Sequence, residues 1–180
     1  MALIARPAAS IALTVGSILL SLALAGCTEG KIESDEPTFY QNLAQPDATV
    51  DATAAASMIS GYRANNGLGP VTVDPELMLF ANEQARAMAA HDKMDHDVAR
   101  PFAERIRNAG LGASFAVENI SAGYHTLAEA FSGWRDSPPH RANMLKKGVT
   151  RLGIAAIYAP KSKYKVFWAL VLAGTDGRHS

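Results

Sequence analysis

The residues of this chain best suited to chemistry are a small set of histidines and glutamates. In chain order they are His91, His96, Glu118, His125, Glu129 and His140. Imidazole and carboxylate groups hold divalent metals and transfer protons near neutral pH. The sequence has no phosphate-cradling glycine loop, no nucleophile elbow and no paired-histidine zincin helix. Any chemistry must therefore come from this set, brought together by the fold.

Several of these residues also have a structural interpretation. Thr126 and Glu129 are spaced as the first and last residues of a capping box, and we favour that role for Glu129 over metal ligation. Glu118 can pair with Arg105 or Arg141, and His140 can hold a turn through the backbone. His91 and His125 are expected at the surface. For His96 and Glu118 the cleft-lining and structural roles both stay open.

The elements that must position these residues can be predicted from apolar spacing and from helix-ending residues. Asp51 and the Asp74-Pro75 pair are typical of helix starts, and Gly67 and Gly110 of helix ends. Helices are predicted at 52–65, 75–90, 101–109, 126–135 and 138–144, a turn at 70–74, and strands at 115–121, 151–158 and 163–172. Helices come first and antiparallel strands come late, which favours an α+β fold with helices covering a small antiparallel sheet.

The first 26 residues have the character of an export signal. Arg6 precedes an apolar run at 11–25, which is shorter than the about 20 residues that a membrane-spanning helix needs. The run ends in Leu24-Ala25-Gly26-Cys27, which resembles the bacterial lipobox, where the chain is cut before a cysteine that becomes diacylated. Two acyl chains suffice for stable anchoring. We therefore predict a signal peptide at 1–26 and a lipidated Cys27, with the domain on the extracytoplasmic side of the cell envelope.

The mature chain is predicted to have a tether followed by one domain. Residues 28–49 contain many charged residues and two prolines with little apolar periodicity, which is typical of a flexible segment. Residues 50–180 then form the domain. Cys27 is the only cysteine, so the domain has no disulfides. Basic and acidic residues number 17 each, and this balance provides no basic field for nucleic acid.

Seven short segments resemble, in the right order, motifs of the CAP superfamily, which includes the cysteine-rich secretory, antigen 5 and pathogenesis-related 1 proteins. They are Tyr62–Leu68, Asp74–Leu77, Met94–His96, Glu118–Ile120, Pro139–Leu145, Leu152–Ala155 and Phe167–Leu170. The resemblance covers about Asp51 to Gly174 and is closest to the bacterial branch. It implies an α-β-α sandwich, in agreement with the order of the predicted elements.

The resemblance also implies a site. In many members two histidines and two glutamates line a cleft that can hold a divalent metal, and three of these positions carry over onto His96, Glu118 and His140. Two imidazoles and a carboxylate suit zinc and leave an open position for water. Animal and plant members place the fourth residue, a glutamate, three positions after the tryptophan that matches Trp134, where this chain has Ser137.

Three functions are compatible with these observations. The first is an anchored, non-enzymatic envelope domain that binds a lipid, a glycan or a protein in the His/Glu cleft. The second is a metal-dependent hydrolase acting on an envelope peptide or ester, with Glu118 as general base. The third is a purely structural surface protein. We favour the first, because the second lacks a full metal set and a clear catalytic acid, and fold resemblance alone does not establish activity.

Overall fold

The computed structural model describes residues 36–174, except 112 and 114. The predicted signal peptide, Cys27 and residues 28–35 lie outside the described residues. A short 3-10 helix at Thr38–Tyr40 precedes the regular elements. These are α1 (Ala52–Ala64), β1 (Thr72–Val73), α2 (Pro75–His91), α3 (Phe102–Ala109), β2 (Phe115–Ala122), α4 (Leu127–Asp136), α5 (Pro138–Met144), β3 (Val149–Ala159) and β4 (Lys165–Gly174).

The helix starts follow from local sequence. The Asp51 carboxylate accepts hydrogen bonds from the backbone N–H groups of Thr53 and Ala54, at 2.9 and 3.0 Å. Asp74 caps α2 in the same way, with Pro75 in its first turn. Gly110 ends α3 in the left-handed conformation, with φ of 60°. The two aspartates satisfy N–H groups that have no partner within the helix, and all three ends confirm the predicted helix boundaries to within one or two residues.

The sheet has the strand order β1-β3-β4-β2, and its three long strands are antiparallel. Alternate side chains of β4 enter two separate cores. One core contains side chains of α1, α4 and α5 together with Val166, Trp168, Leu170 and Leu172. The other contains side chains of α2 together with Phe167, Ala169, Val171 and Ala173. Helices therefore cover both faces of the sheet, and the predicted α+β sandwich is confirmed.

One strand differs from the prediction. The segment 70–74 was expected to be a turn, but Thr72 and Val73 pair in parallel with Arg151 and Leu152 at the edge of the sheet. The backbone N–H of Asp74 continues the pairing, at 2.8 Å from the carbonyl of Leu152. A strand of two residues is too short to show the alternation from which strands are predicted.

The chain before α1 also differs from the prediction. Leu43 is 3% exposed and belongs to the core around α4, and its N–H donates to the carbonyl of His125 at 2.7 Å. The hydroxyl of Thr38 donates to the Asp51 carboxylate at 2.8 Å. Residues 38–49 of the predicted tether are therefore part of the domain. They are held by isolated apolar side chains, for which periodicity provides no signal.

In the described part of the chain, no helix combines the length and the apolar character needed to cross a membrane.

Candidate functional site

Glu118 lies in the middle of β2, and its carboxylate is held by a buried arginine of α3. Arg105 Nη2 donates to both carboxylate oxygens, at 3.0 Å to Oε1 and 2.9 Å to Oε2. The exposed fraction is 3% for the Arg105 side chain and 1% for that of Glu118. The guanidinium also lies over the ring of Phe80, 4.9 Å from its centroid. Of the two arginines considered as partners for Glu118, the structure selects Arg105, and Arg141 is exposed.

His96 joins this pair from the loop between α2 and α3. Its Nδ1 lies 2.8 Å from Glu118 Oε1, so Nδ1 is the ring nitrogen that donates to the carboxylate. The backbone carbonyl of His96 accepts from Arg105 Nη2 at 3.0 Å and from Gln84 Nε2 at 3.3 Å. The loop is therefore fixed from α2 and from α3. We call Glu118, Arg105 and His96 the Glu118 centre.

His140 approaches from the opposite layer. It is the third residue of α5, which packs along the outer edge of β2. Asn119 donates to the backbone carbonyl of His140 at 3.0 Å, and Asn143 donates to Asn119 Oδ1 at 2.9 Å and to the carbonyl of Glu118 at 3.2 Å. The two asparagines satisfy polar groups at an edge that no other strand of the described residues covers. They also fix α5 beside the Glu118 centre.

The surroundings shift the pKa values of His96 and His140 in opposite directions. The hydrogen bond with Glu118 raises the pKa of His96 above its ordinary value of 6.5, although partial burial opposes this. Burial lowers the pKa of His140 below 6.5, and the charge of His96 lowers it further. Between the two pKa values His96 is an imidazolium and His140 a neutral imidazole. The site then contains one proton donor and one proton acceptor.

A pocket of about 230 Å³ lies beside His140, where β2 ends against α4 and α5. We call it the His140 pocket. Its lining includes Ile120, Ser121, Trp134 and His140, but neither His96 nor Glu118. The structure therefore brings the three predicted residues into one region without placing them in one cleft: His140 lines the pocket, Glu118 is buried under α3, and about half of the His96 side chain is exposed.

These residues do not fit the three-ligand zinc site that the family resemblance implied. Both oxygens of Glu118 accept from Arg105, and one of them also accepts from His96. Among the described residues, no group of three or more His, Cys, Asp or Glu side chains is arranged to hold a metal. Of the three predicted ligands, only His96 Nε2 and the His140 ring are then left to bind a metal. Two imidazoles are fewer protein ligands than either a structural or a catalytic zinc site uses.

Glu129 stands apart from this region, at the start of α4. The hydroxyl of Thr126 accepts from Glu129 N at 3.2 Å, and Glu129 Oε2 accepts from the N–H groups of Thr126 and His125. The predicted capping box is confirmed, with Glu129 Oε2 accepting both backbone hydrogen bonds. His91 and His125 are exposed, as predicted.

Two features of the site were not predicted from the sequence. Gln84, which fixes the His96 loop, was not singled out, although an uncharged polar residue on the apolar face of α2 is a signal that could have identified it. Ser121 and Trp134 were not recognised as pocket residues. Trp134 is also a core side chain, with 1% exposure.

Several solved structures with this fold come from bacteria. An extracellular protein containing an SCP domain, from Bacillus anthracis str. Ames, has a TM-score of 0.59 and 22% identity over 68% of this chain and 39% of its own. An outer surface protein of Borrelia burgdorferi has a TM-score of 0.59 and 19% identity over 71% of this chain and 97% of its own. At these identities the likeness establishes the fold alone.

Sequence comparison assigns the family. The uncharacterized protein YkwD of Bacillus subtilis (strain 168) is 27% identical over 144 residues, and this chain spans 56% of its length. The family model described as "CAP: Cysteine-rich secretory protein family" matches residues 56–172, which is more than half of the chain. The chain therefore belongs to the CAP family, as its motifs indicated.

Proposed function

We propose that this protein is a lipid-anchored CAP domain of the cell envelope that binds a ligand without transforming it. The Leu24-Ala25-Gly26-Cys27 segment supports the anchor. The extracellular and outer-surface proteins with the same fold support an extracytoplasmic location. The ligand is a lipid, a glycan or an envelope protein, and the His140 pocket is where a part of it enters the domain.

The state of Glu118 is the observation that carries the non-enzymatic assignment. A general base needs a carboxylate that can reach a substrate or a water molecule. The Glu118 side chain is 1% exposed, and its oxygens are taken by Arg105 and His96. Its role is to neutralise a buried guanidinium and to orient an imidazole. The pocket next to it then offers shape and hydrogen-bonding groups without a reactive carboxylate.

A metal-dependent hydrolase is the second candidate, and one contact favours it. A carboxylate bonded to Nδ1 of a histidine is the usual support for a metal ligand that binds through Nε2. The His96–Glu118 pair has this form. The candidate still requires further protein ligands beyond His96 and His140, and among the described residues no group of three or more His, Cys, Asp or Glu side chains is arranged to hold a metal.

Native mass spectrometry of the mature lipoprotein, extracted from membranes in mild detergent, distinguishes these functions. We expect a non-covalent organic adduct and no zinc adduct. In His140→Ala the adduct should decrease, whereas in His91→Ala, an exposed control, it should not change. A stoichiometric zinc adduct that is lost in His96→Ala would instead support the hydrolase. A protein with neither adduct would be a structural surface protein.

The lipid anchor gives a separate prediction. Cells fed a clickable fatty acid should label the wild-type protein and not Cys27→Ser, because the thiol is the acyl acceptor. The variant should also leave the membrane fraction, since the acyl chains provide the attachment. Ser34→Ala is a matched control that should label like the wild type. Equal labelling of wild type and Cys27→Ser would rule out lipidation at this residue.

A further inference from the structure

The long strand β3 has one edge that is paired only near its beginning. β4 lies along one side of β3, whereas on the other side β1 pairs only with Arg151 and Leu152. Residues 154–159 therefore have no strand beside them on this side in the described part of the chain. An open strand edge presents backbone N–H and C=O groups with which another extended chain can pair.

Two contacts show which backbone groups of β3 point to the open edge. The carbonyl of Leu152 accepts from the N–H of the residue that follows β1, at 2.8 Å. The N–H of Ile154 donates to Met78 Sδ at 3.3 Å, a weak acceptor in the place of a neighbouring strand. Because alternate residues of a strand point to the same side, Ala156 and Tyr158 also point outwards. Among the described residues, the outward N–H and C=O groups of these two have no hydrogen-bond partner.

The open edge lines a groove of about 590 Å³, which we call the β3 groove. One wall is α2, with Met78, Asn82 and Arg86, which are four residues apart and so share one face of the helix. The other wall is the segment 46–50, which makes no hydrogen bond to β3 among the described residues. With a wall on each side of the edge, the groove suits a single extended chain better than the edge strand of a second folded domain.

The direction of α2 determines where its charged residue lies along the groove. Gly153 lies against the backbone of Leu77, near the start of α2. At the other end of the helix, Asp92 accepts from the hydroxyl of Ser162, which follows β3 in the hairpin. The helix therefore runs along β3 in the same direction. Arg86 follows Leu77 by nine residues, so it lies about 13 Å further along the groove, towards the end of β3.

Arg86 determines which end of a bound chain fits there. It is the only cation among the described residues that line the groove, and Asp47 on the opposite wall is the only anion. Arg86 is exposed, its Nε donates to Asn82 Oδ1 at 2.6 Å, and it forms no salt bridge with the described residues. A carboxylate at this end would pair with the guanidinium, whereas an amino end would meet a like charge. A peptide parallel to β3, as β1 is, places its C-terminal carboxylate here.

We propose that the β3 groove binds the C-terminal segment of another polypeptide as an added strand. The segment runs parallel to β3 and continues the line of β1. Its backbone pairs with Ala156 and Tyr158, and its terminal carboxylate pairs with Arg86. The groove shares no lining residue with the His140 pocket and lies on the other side of β4. The inference therefore adds a second site and goes beyond the proposed function.

The pentapeptide acetyl-Val-Thr-Val-Thr-Val, with a free C-terminal carboxylate, is the probe. In the mature protein, labelled with ¹⁵N and kept in mild detergent, it should move the amide signals of Ala156 and Tyr158 downfield and slow their hydrogen exchange. The amide of Ala155, which points to β4, should keep its exchange rate. Unchanged signals of Ala156 and Tyr158 at saturating peptide would overturn the proposal.

Two N-methylated forms of the probe test the strand pairing without altering the protein. One has methyl groups on the second and fourth amide nitrogens, and the other on the third and fifth. In an added strand only one of these sets faces β3, so one form should bind at least about tenfold more weakly and the other should bind like the parent. Equal affinity of the two forms would overturn strand addition.

The terminal carboxylate is tested by a probe that ends in an amide. The amide should bind about threefold more weakly than the acid, the effect of one exposed ion pair. Arg86→Gln should abolish this difference, whereas Arg107→Gln, which removes an exposed arginine of α3, should preserve it. Equal binding of acid and amide by the wild type would overturn the pairing with Arg86 and with it the parallel orientation.

Two controls exclude other occupants and other sites. His140→Ala should bind the acid probe like the wild type, and loss of binding would place the peptide in the His140 pocket and overturn the β3 groove. Without peptide, the signals of Ala156 and Tyr158 should not depend on protein concentration. Shifts that grow with concentration would show a second copy of the chain in the groove and would likewise overturn the proposal.

Discussion

Replacing Arg105 by alanine should lower the free energy of unfolding by about 4 kcal/mol, because it leaves the Glu118 carboxylate buried without its main partner. Both side chains of the pair are at most 3% exposed. The variant also loses the guanidinium over Phe80. Urea unfolding followed by circular dichroism measures the change. His96 alone cannot replace two hydrogen bonds from Arg105, because it makes one bond to a single oxygen.

Two comparisons make this prediction specific. Arg100→Ala removes an arginine that pairs with Glu83 at 3.3 Å on the surface, where both side chains are about half exposed or more. Its cost should be about 0.5 kcal/mol. The double variant Arg105→Met, Glu118→Leu should regain much of the stability, because no buried charge remains. An Arg105→Ala protein as stable as Arg100→Ala would contradict the prediction, because it would show that the fold does not depend on the buried ion pair of Arg105 with Glu118.

Gly153→Ala should destabilise the domain by about 3 kcal/mol, because a methyl group has no room where β3 crosses α2. A Cβ at this position would overlap the backbone carbonyl of Leu77 and lie 2.5 Å from Met78 N. These are backbone atoms of a buried helix, so they cannot move aside as a flexible side chain would. The same urea titration measures the effect.

Gly61→Ala is the matched control for this substitution. Gly61 lies within α1, is exposed, and has no atom within 4 Å of the position that a Cβ would occupy. The same change should therefore stabilise the protein by about 0.7 kcal/mol, because alanine favours the helix and restricts the unfolded chain. If Gly153→Ala also left stability unchanged or raised it, the close contact of β3 with α2 would be wrong.

The parts of the fold that sequence predicted are those with local causes. Asp51 and Asp74 accept bonds from residues two and three positions later, so each cap can be recognised within one turn of helix. The alternation along β4 likewise needs only neighbouring residues. The burial of Leu43 and the pairing of Thr72 with Arg151 depend on contacts with distant segments. No spacing rule along the chain describes such contacts.

In the candidate site, too, features with local causes could be predicted from the sequence and contacts between distant segments could not. Family motifs indicated His96, Glu118 and His140, and the spacing of Thr126 and Glu129 indicated the capping box. Which arginine pairs with Glu118 could not be decided from sequence, because Arg105 and Arg141 belong to helices in different layers. The pairing decides the chemistry, since it turns Glu118 from a candidate metal ligand or base into the partner of a buried guanidinium.

The engagement of Glu118 with His96 is tested most directly by ¹H–¹⁵N NMR of the imidazole nitrogens as a function of pH. We predict that His96 loses its proton above pH 6.5, because Glu118 stabilises the imidazolium, and that His140 loses its proton below pH 6.5. Once neutral, His96 should keep its proton on Nδ1, which faces the carboxylate. If both histidines titrated together at or below 6.5, with the neutral His96 proton on Nε2, Glu118 would be free of His96 and the account of this site would be contradicted.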